Sequence, residues 1–75
     1  MPRLPSVTGA DVLRALERDG WQIVRSRGSH FILEHSNLPG RPVVPVHTGG
    51  IIAPGTLKAI LGDAGMSVER LRELL

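Results

Sequence analysis

The apolar residues of this 75-residue chain change their spacing twice, and this change limits the folds that are open to it. They first recur at helical spacing, and Thr8 with Asp11 forms an approximate capping box, so we predict a helix over about Gly9 to Asp19. Short runs rich in β-branched and bulky residues follow, and helical spacing returns after Pro54. The chain therefore alternates from helix to strands and back to helix.

Three strand-like runs predict a meander of antiparallel strands. They are Trp21–Arg25, Phe31–Leu33 and Val43–Val46. The turn between the first two contains Gly28, which permits a positive φ. Because Pro42 and Pro45 have no backbone N–H to give to a ladder, we place the third run at an edge of the sheet.

Two further helices complete the predicted order α-β-β-β-α-α. The second begins at Pro54 and carries an apolar stripe at i, i+3, i+4 and i+7, formed by Leu57, Ile60, Leu61 and Ala64. Gly65 ends this helix, and Ser67 begins a short last one. The predicted fold class is α+β, with a three-stranded antiparallel sheet packed on helices. We expect one domain over residues 1–75, with residues 1–6 as a loose lead-in.

Composition excludes several classes of protein. The chain has no cysteine, which excludes disulfide frameworks and zinc sites built on thiolates. No apolar run approaches the roughly 20 residues of a membrane span, and the N-terminus lacks the apolar stretch of a secretory signal. We therefore expect a cytoplasmic protein without a membrane partner. Trp21 and Phe31 are the only aromatic residues, too few for the stacking platforms of single-strand readers.

The basic residues are unevenly distributed along the sequence. The net charge is only +2, and eight of the nine basic residues are arginine, the side chain best suited to gripping phosphate. Residues 21–60 contain four basic side chains against Glu34 alone. These four are Arg25, Arg27, Arg41 and Lys58, and they predict a modest positive patch carried by the sheet.

The simplest register for the second hairpin brings two histidines together. If the loop Ser36–Arg41 joins its strands without irregularity, the cross-strand pairs are His30 with His47, Phe31 with Val46, and Leu33 with Val44. One face of the sheet is then apolar, and the other, open face carries His30 and His47. His35 lies an odd number of positions from His30, so it points to the other face, and we interpret it as a solvated residue.

The first hairpin leaves two registers open. If Arg27-Gly28 is a two-residue turn, Arg25 lies opposite His30 on the open face, but Gln22 then points inward. Gly28-Ser29 would let a substrate backbone come close to His30, and Ser29 could donate a hydrogen bond to a phosphate.

The chemistry that these residues could support is general acid–base catalysis of RNA cleavage. A neutral imidazole can take the proton from a ribose 2′-hydroxyl, and an arginine can stabilise the charge that then develops on the phosphate. By this chemistry His30 is a candidate catalytic residue, although a surface or capped histidine is the commoner case at this point, and His47 is a possible second proton carrier or a structural brace. Arg25, Arg27 and Arg41 are candidate phosphate ligands, and we expect neither a metal nor another cofactor.

Four spaced sequence blocks resemble the HicA toxins, also called the YcfA-like group. They are Gly20-Trp21, Arg27-Gly28-Ser29-His30, Val44-Pro45-Val46-His47, and Pro54-Gly55-Thr56-Leu57 with the apolar positions that follow. The resemblance covers about Val7 to Leu75. It implies a fold like the double-stranded-RNA-binding domain and an mRNA-cleaving toxin of a bacterial type II toxin–antitoxin pair. It also implies that His30 is the essential histidine and that His47 is the histidine of a second motif.

The same resemblance implies partners. They are mRNA and a HicB-type antitoxin protein that covers the active site; we expect no DNA partner for the protein by itself. Family members often carry a basic residue where Ile51-Ile52-Ala53 stands here, which predicts fewer phosphate contacts and a weaker salt dependence of RNA binding. The alternatives are a non-catalytic RNA-binding module of the same fold and a protein-interaction domain that uses Ile32, Val43 and Pro45.

Overall fold

The computed structural model describes residues 3–75 and has the predicted order of elements. These are α1 (Gly9–Arg18), β1 (Trp21–Arg27), β2 (His30–His35), β3 (Val43–Pro45), α2 (Pro54–Ala64) and α3 (Val68–Leu74). The α+β class and the double-stranded-RNA-binding-domain-like layout are confirmed. Of the predicted lead-in, Met1 and Pro2 lie outside the described residues, and Leu4 packs against the core.

The helix ends follow the capping signals in the sequence. The Thr8 hydroxyl accepts a hydrogen bond from the Asp11 N–H at 3.1 Å, and the Asp11 carboxylate accepts one from the Thr8 N–H at 3.0 Å. The hydrogen bonds from Thr8, the backbone one first, hold the pKa of Asp11 below its usual value. Gly65 ends α2 with a φ of 63°, and the Ser67 hydroxyl caps α3.

The helices cover one face of the sheet and leave the other open. Buried apolar side chains from every element form one core, which includes Val12, Leu16, Trp21, Leu33, Val44, Leu57, Ile60 and Leu71. Leu33 and Val44 are wholly buried, so the face of β2 and β3 that carries them is the covered face. Neighbouring residues in a strand alternate between faces, which puts His30 on the open side.

Two glycines allow close backbone contacts between helices and the β3 region of the sheet. A Cβ on Gly9 would lie 2.1 Å from the Pro45 carbonyl oxygen, so the start of α1 sits directly on β3. A Cβ on Gly40 would lie 2.1 Å from the Asp63 carbonyl oxygen, and Gly40 has a φ of 102°. The loop between β2 and β3 therefore packs its backbone against α2, where no larger side chain fits.

The sheet has the strand order β1-β2-β3, which confirms β3 as an edge strand. The register predicted for the second hairpin, however, is wrong by two residues. The observed pairs are His30 with Pro45, Phe31 with Val44, and Ile32 with Val43. A shift of two preserves which side chains share a face, so the covered and open faces are as predicted. The alternation of apolar residues determines only which face each side chain occupies, so it does not distinguish registers that differ by two residues. The exact register is set by the loop, where Gly40 touches α2 and Pro42 is buried.

An extra residue in β1 settles the first hairpin, whose register the sequence left open. The two-residue turn is Gly28-Ser29, not Arg27-Gly28, so Arg27 and not Arg25 lies opposite His30. The pairing shifts between Ile23 and Arg25, which makes Val24 a β-bulge. The turn takes its glycine at the first central position, where Gly28 has a φ of 57°.

Candidate active site

His30 is the first residue of β2, and its side chain is exposed on the open face of the sheet. Arg27 of β1 lies directly opposite on one side, and Pro45 of β3 lies opposite on the other. Side chains of directly opposed residues are about 5 Å apart at Cβ. The imidazole is therefore flanked by a guanidinium on one side and by an apolar ring on the other.

The bulge at Val24 brings a second arginine to the same face. Arg25 pairs with Ile32, two residues from His30, whereas Ile23 pairs with the buried Leu33. Without an extra residue Ile23 and Arg25 would share a face, because strand side chains repeat every two residues. The bulge lets the start of β1 point into the core while Arg25 and Arg27 point outward with His30.

Arg25 and Arg27 make no side-chain hydrogen bond or ion pair within residues 3–75. Both side chains are exposed at the hairpin end of the sheet. An exposed guanidinium with no carboxylate beside it keeps all its donors for a ligand. The pair is thus equipped to hold an oxyanion next to the imidazole.

The structure does not place His47 across from His30. Pro45 occupies that position, and β3 ends there, so the predicted cross-strand pair of imidazoles is wrong. His47 instead begins a turn, in which its carbonyl oxygen accepts a hydrogen bond from the Gly50 N–H at 2.9 Å. Its side chain is exposed.

The other candidate phosphate ligands differ in their surroundings. Arg41 donates to Glu34 at 2.7 Å, and both side chains are exposed, so this pair contributes little stability but reduces the charge that Arg41 offers. Lys58 is exposed on α2. Gly28 and Ser29 form the hairpin turn, and a Cβ on Gly28 would meet only open space. The backbone of this turn is therefore accessible at Gly28, close to His30.

His35 is part of the fold, and its interpretation as a solvated residue is wrong. Its Nε2 lies 3.0 Å from the Asp19 carbonyl oxygen, its Nδ1 accepts a hydrogen bond from the Asn37 N–H at 3.0 Å, and its ring packs edge-on against Trp21. The sequence does carry a signal for this: His35 continues the alternation that puts Phe31 and Leu33 on the covered face.

Taken together, the open face can perform proton transfer beside a phosphate. It offers one exposed imidazole, two unpaired guanidinium groups and an accessible glycine turn. Among the described residues, no three His, Cys, Asp or Glu side chains cluster so as to hold a metal ion. Within the same residues, no helix has the length and apolar character needed to cross a bilayer.

Comparison with known families gives a match over most of the chain. A family model described as the HicA toxin of bacterial toxin–antitoxin matches residues 9–66, which is more than three-quarters of the chain. The matched segment begins at the first residue of α1 and ends just after α2, so it contains the whole sheet with both hairpins. No curated protein matches the chain.

Proposed function

Because the chain belongs to the HicA toxin family of bacterial toxin–antitoxin systems, we propose that it is an endoribonuclease that cleaves mRNA without a metal ion. The observation that carries this proposal is the placement of His30 on the open face, directly opposite Arg27 and with Arg25 two residues along. His30 is the acid–base residue, and the two arginines are the phosphate ligands.

In the proposed reaction, neutral His30 removes the proton from a ribose 2′-hydroxyl. The 2′-oxygen attacks the adjacent phosphorus, so a bond to the 2′-oxygen forms while the bond to the 5′-oxygen breaks. The leaving 5′-oxygen takes a proton, and His47 is the candidate second proton carrier. The products are a 2′,3′-cyclic phosphate and a 5′-hydroxyl. Arg25 and Arg27 stabilise the charge that develops on the non-bridging oxygens.

The antitoxin partner that family membership implies would act on the same face. We propose a HicB-type protein that covers His30 and thereby excludes RNA, with both proteins in the cytoplasm. The half-buried Ile32 and Pro45 and the exposed Val43 lie on this face and give it an apolar area that a protein could cover.

The test is His30→Ala with Gln22→Ala as its matched control. Gln22 is also exposed on the open face of the sheet, opposite Glu34, but lies at the far end from His30. We expect His30→Ala to lower the rate of RNA cleavage in EDTA by at least about a hundredfold and to abolish growth arrest, because general acid–base catalysis supplies that much. Gln22→Ala should cleave at the parent rate, and both variants should keep the parent circular dichroism spectrum.

Two results would contradict the proposal. A folded His30→Ala variant that arrests growth as the parent does would exclude His30 as the catalytic residue. A parent protein that shifts RNA in a gel but leaves it intact would be a non-catalytic RNA-binding module. The same assay on His47→Ala shows whether this side chain carries the second proton.

A further inference from the structure

Within residues 3–75, β1 leaves one edge of the sheet unpaired. It pairs with β2 on one side only, and six of its seven residues are exposed. The opposite edge, β3, is three residues long and contains Pro45, which has no N–H to donate. β1 has no proline, so its free edge retains backbone donors and acceptors for another strand.

The side chains along this edge have a distinct chemistry. Ile23 and Val24 are neighbours in the strand and are 40% and 52% exposed. Arg25 and Arg27 have no partner within residues 3–75, although most arginines of the chain are bonded. Arg14, Arg41 and Arg70 bind carboxylates, and Arg18 and Arg72 donate to backbone carbonyls. The edge therefore offers an apolar stretch followed by two free positive charges.

We propose that the free edge of β1 binds an extended acidic segment of a protein partner as a fourth strand of the sheet. Backbone hydrogen bonds would supply affinity, and the arginines would select the segment. Arg25 and Arg27 share the open face, so carboxylates two residues apart in the added strand would face both of them. Apolar residues farther along would cover Ile23 and Val24.

The positive charge of β1 makes a second copy of this chain an unfavourable partner for the free edge. β1 contains two arginines and no acidic residue, so pairing two copies would bring four guanidinium groups together without a carboxylate. Like charges placed across neighbouring strands are destabilising. An acidic segment neutralises the same groups, and we therefore assign the edge to a partner and not to a homodimer.

Occupation of this edge would also affect the open face. Carboxylates bound to Arg25 and Arg27 would take the donors proposed to hold the RNA phosphate beside His30. The partner segment would therefore compete with RNA. This inhibitory effect rests on the proposed function, whereas the docking of the strand does not.

The experiment uses two synthetic ten-residue peptides of equal composition. In one, two glutamates are separated by a valine; in the other, the two glutamates are adjacent, so that only one of them can face the arginines. Binding to the full chain is measured by calorimetry, and backbone protection by hydrogen exchange. We expect the spaced peptide to bind about tenfold more tightly and to slow exchange of β1 amides.

Protein variants supply the second arm. Replacing both Arg25 and Arg27 by alanine should remove the preference for the spaced peptide, whereas Arg14→Ala, which removes a charge already paired on α1, should not change it.

Equal binding of the two peptides, or binding without protection of β1, would overturn the proposal. So would dimerisation of the chain alone that protects β1. If the spaced peptide binds as expected but the protein does not cleave RNA, the proposed docking at β1 is supported and only the proposed ribonuclease activity is refuted.

Discussion

Two histidines on one strand lie in different surroundings because they point to opposite faces. His30 and His35 begin and end β2, and the odd spacing between them puts one imidazole in solvent and the other against Trp21. The Asn37 N–H donates to Nδ1 of His35, so Nδ1 is the acceptor and Nε2 carries the proton that is donated to the Asp19 carbonyl. This one ring thus joins the end of α1 to the end of β2.

We predict that His35→Ala lowers the free energy of unfolding by about 1–3 kcal/mol, because the Asp19 carbonyl and the Asn37 N–H lose their partner and Trp21 loses a packing contact. His30→Ala should change it by less than about 0.5 kcal/mol, since its side chain is exposed. Urea titrations monitored by the single tryptophan and by circular dichroism measure both values. Equal effects of the two substitutions would show that the bridge made by His35 contributes nothing.

At the scale of the element, the bulge in β1 decides which face the arginines occupy. Trp21 and Ile23 pair with covered residues of β2, whereas Arg25 and Arg27 pair with open-face residues, although all four are odd-numbered positions. In a regular strand, odd-numbered residues would all lie on the same face. The extra residue Val24 changes the parity, and the positive groups thereby reach the face that carries His30.

Two single-residue deletions test this role of the bulge. Deleting Val24 makes the ladder regular while every other side chain keeps its face, so we expect a folded protein with parent RNA-binding affinity. Deleting Ser26 shortens β1 equally but turns Arg25 toward the covered face. We expect this deletion to lower the melting temperature by several degrees and to weaken RNA binding. Thermal unfolding and a filter-binding assay measure the two effects, and equal behaviour of the two deletions would refute the parity argument.

At the scale of the whole molecule, charge is modest and locally concentrated. The net charge is +2, and most arginines of the described chain are neutralised by carboxylates or bonded to carbonyls. The Asp19 and Glu73 carboxylates even raise the pKa of Arg70. Among residues 3–75, only a few basic groups, Arg25 and Arg27 foremost, are free to bind an anion. The high isoelectric point of about 10.5 therefore overstates the positive charge that the surface offers to an anionic ligand.

Because few basic groups are free, we predict that the proposed binding of RNA depends only weakly on salt concentration. With two or three phosphate contacts to a single strand, raising the salt from 50 to 200 mM should weaken binding only about tenfold, far less than for proteins with six to ten contacts. Arg27→Ala should make the slope of log affinity against log salt shallower by about 0.7. Titrations with non-cleavable RNA at four salt concentrations measure the slope. A fall of a thousandfold would mean that further basic groups contact the RNA.

Local patterns in the sequence were sufficient to predict much of the fold. The capping box at Thr8, the stop at Gly65 and the prolines beside β3 act over a few residues, so they predict the element order and the edge position of β3 correctly. Alternation of apolar residues also predicts which face of β2 is covered. His30 is placed on the open face by the same short-range rule.

What the sequence by itself determined is therefore the order of the elements and the face that each side chain of β2 and β3 occupies, since both depend on neighbouring residues along the chain. The tertiary structure alone decided the register of β3, the bulge at Val24 and the bridge made by His35. The register and the bridge depend on contacts between distant segments, namely Gly40 against Asp63, and the His35 ring against Trp21 and the end of α1. The bulge is visible only in the pairing of β1 with β2. Parity permits several registers, and only packing across the molecule selects one, which places Pro45, and not His47, beside His30.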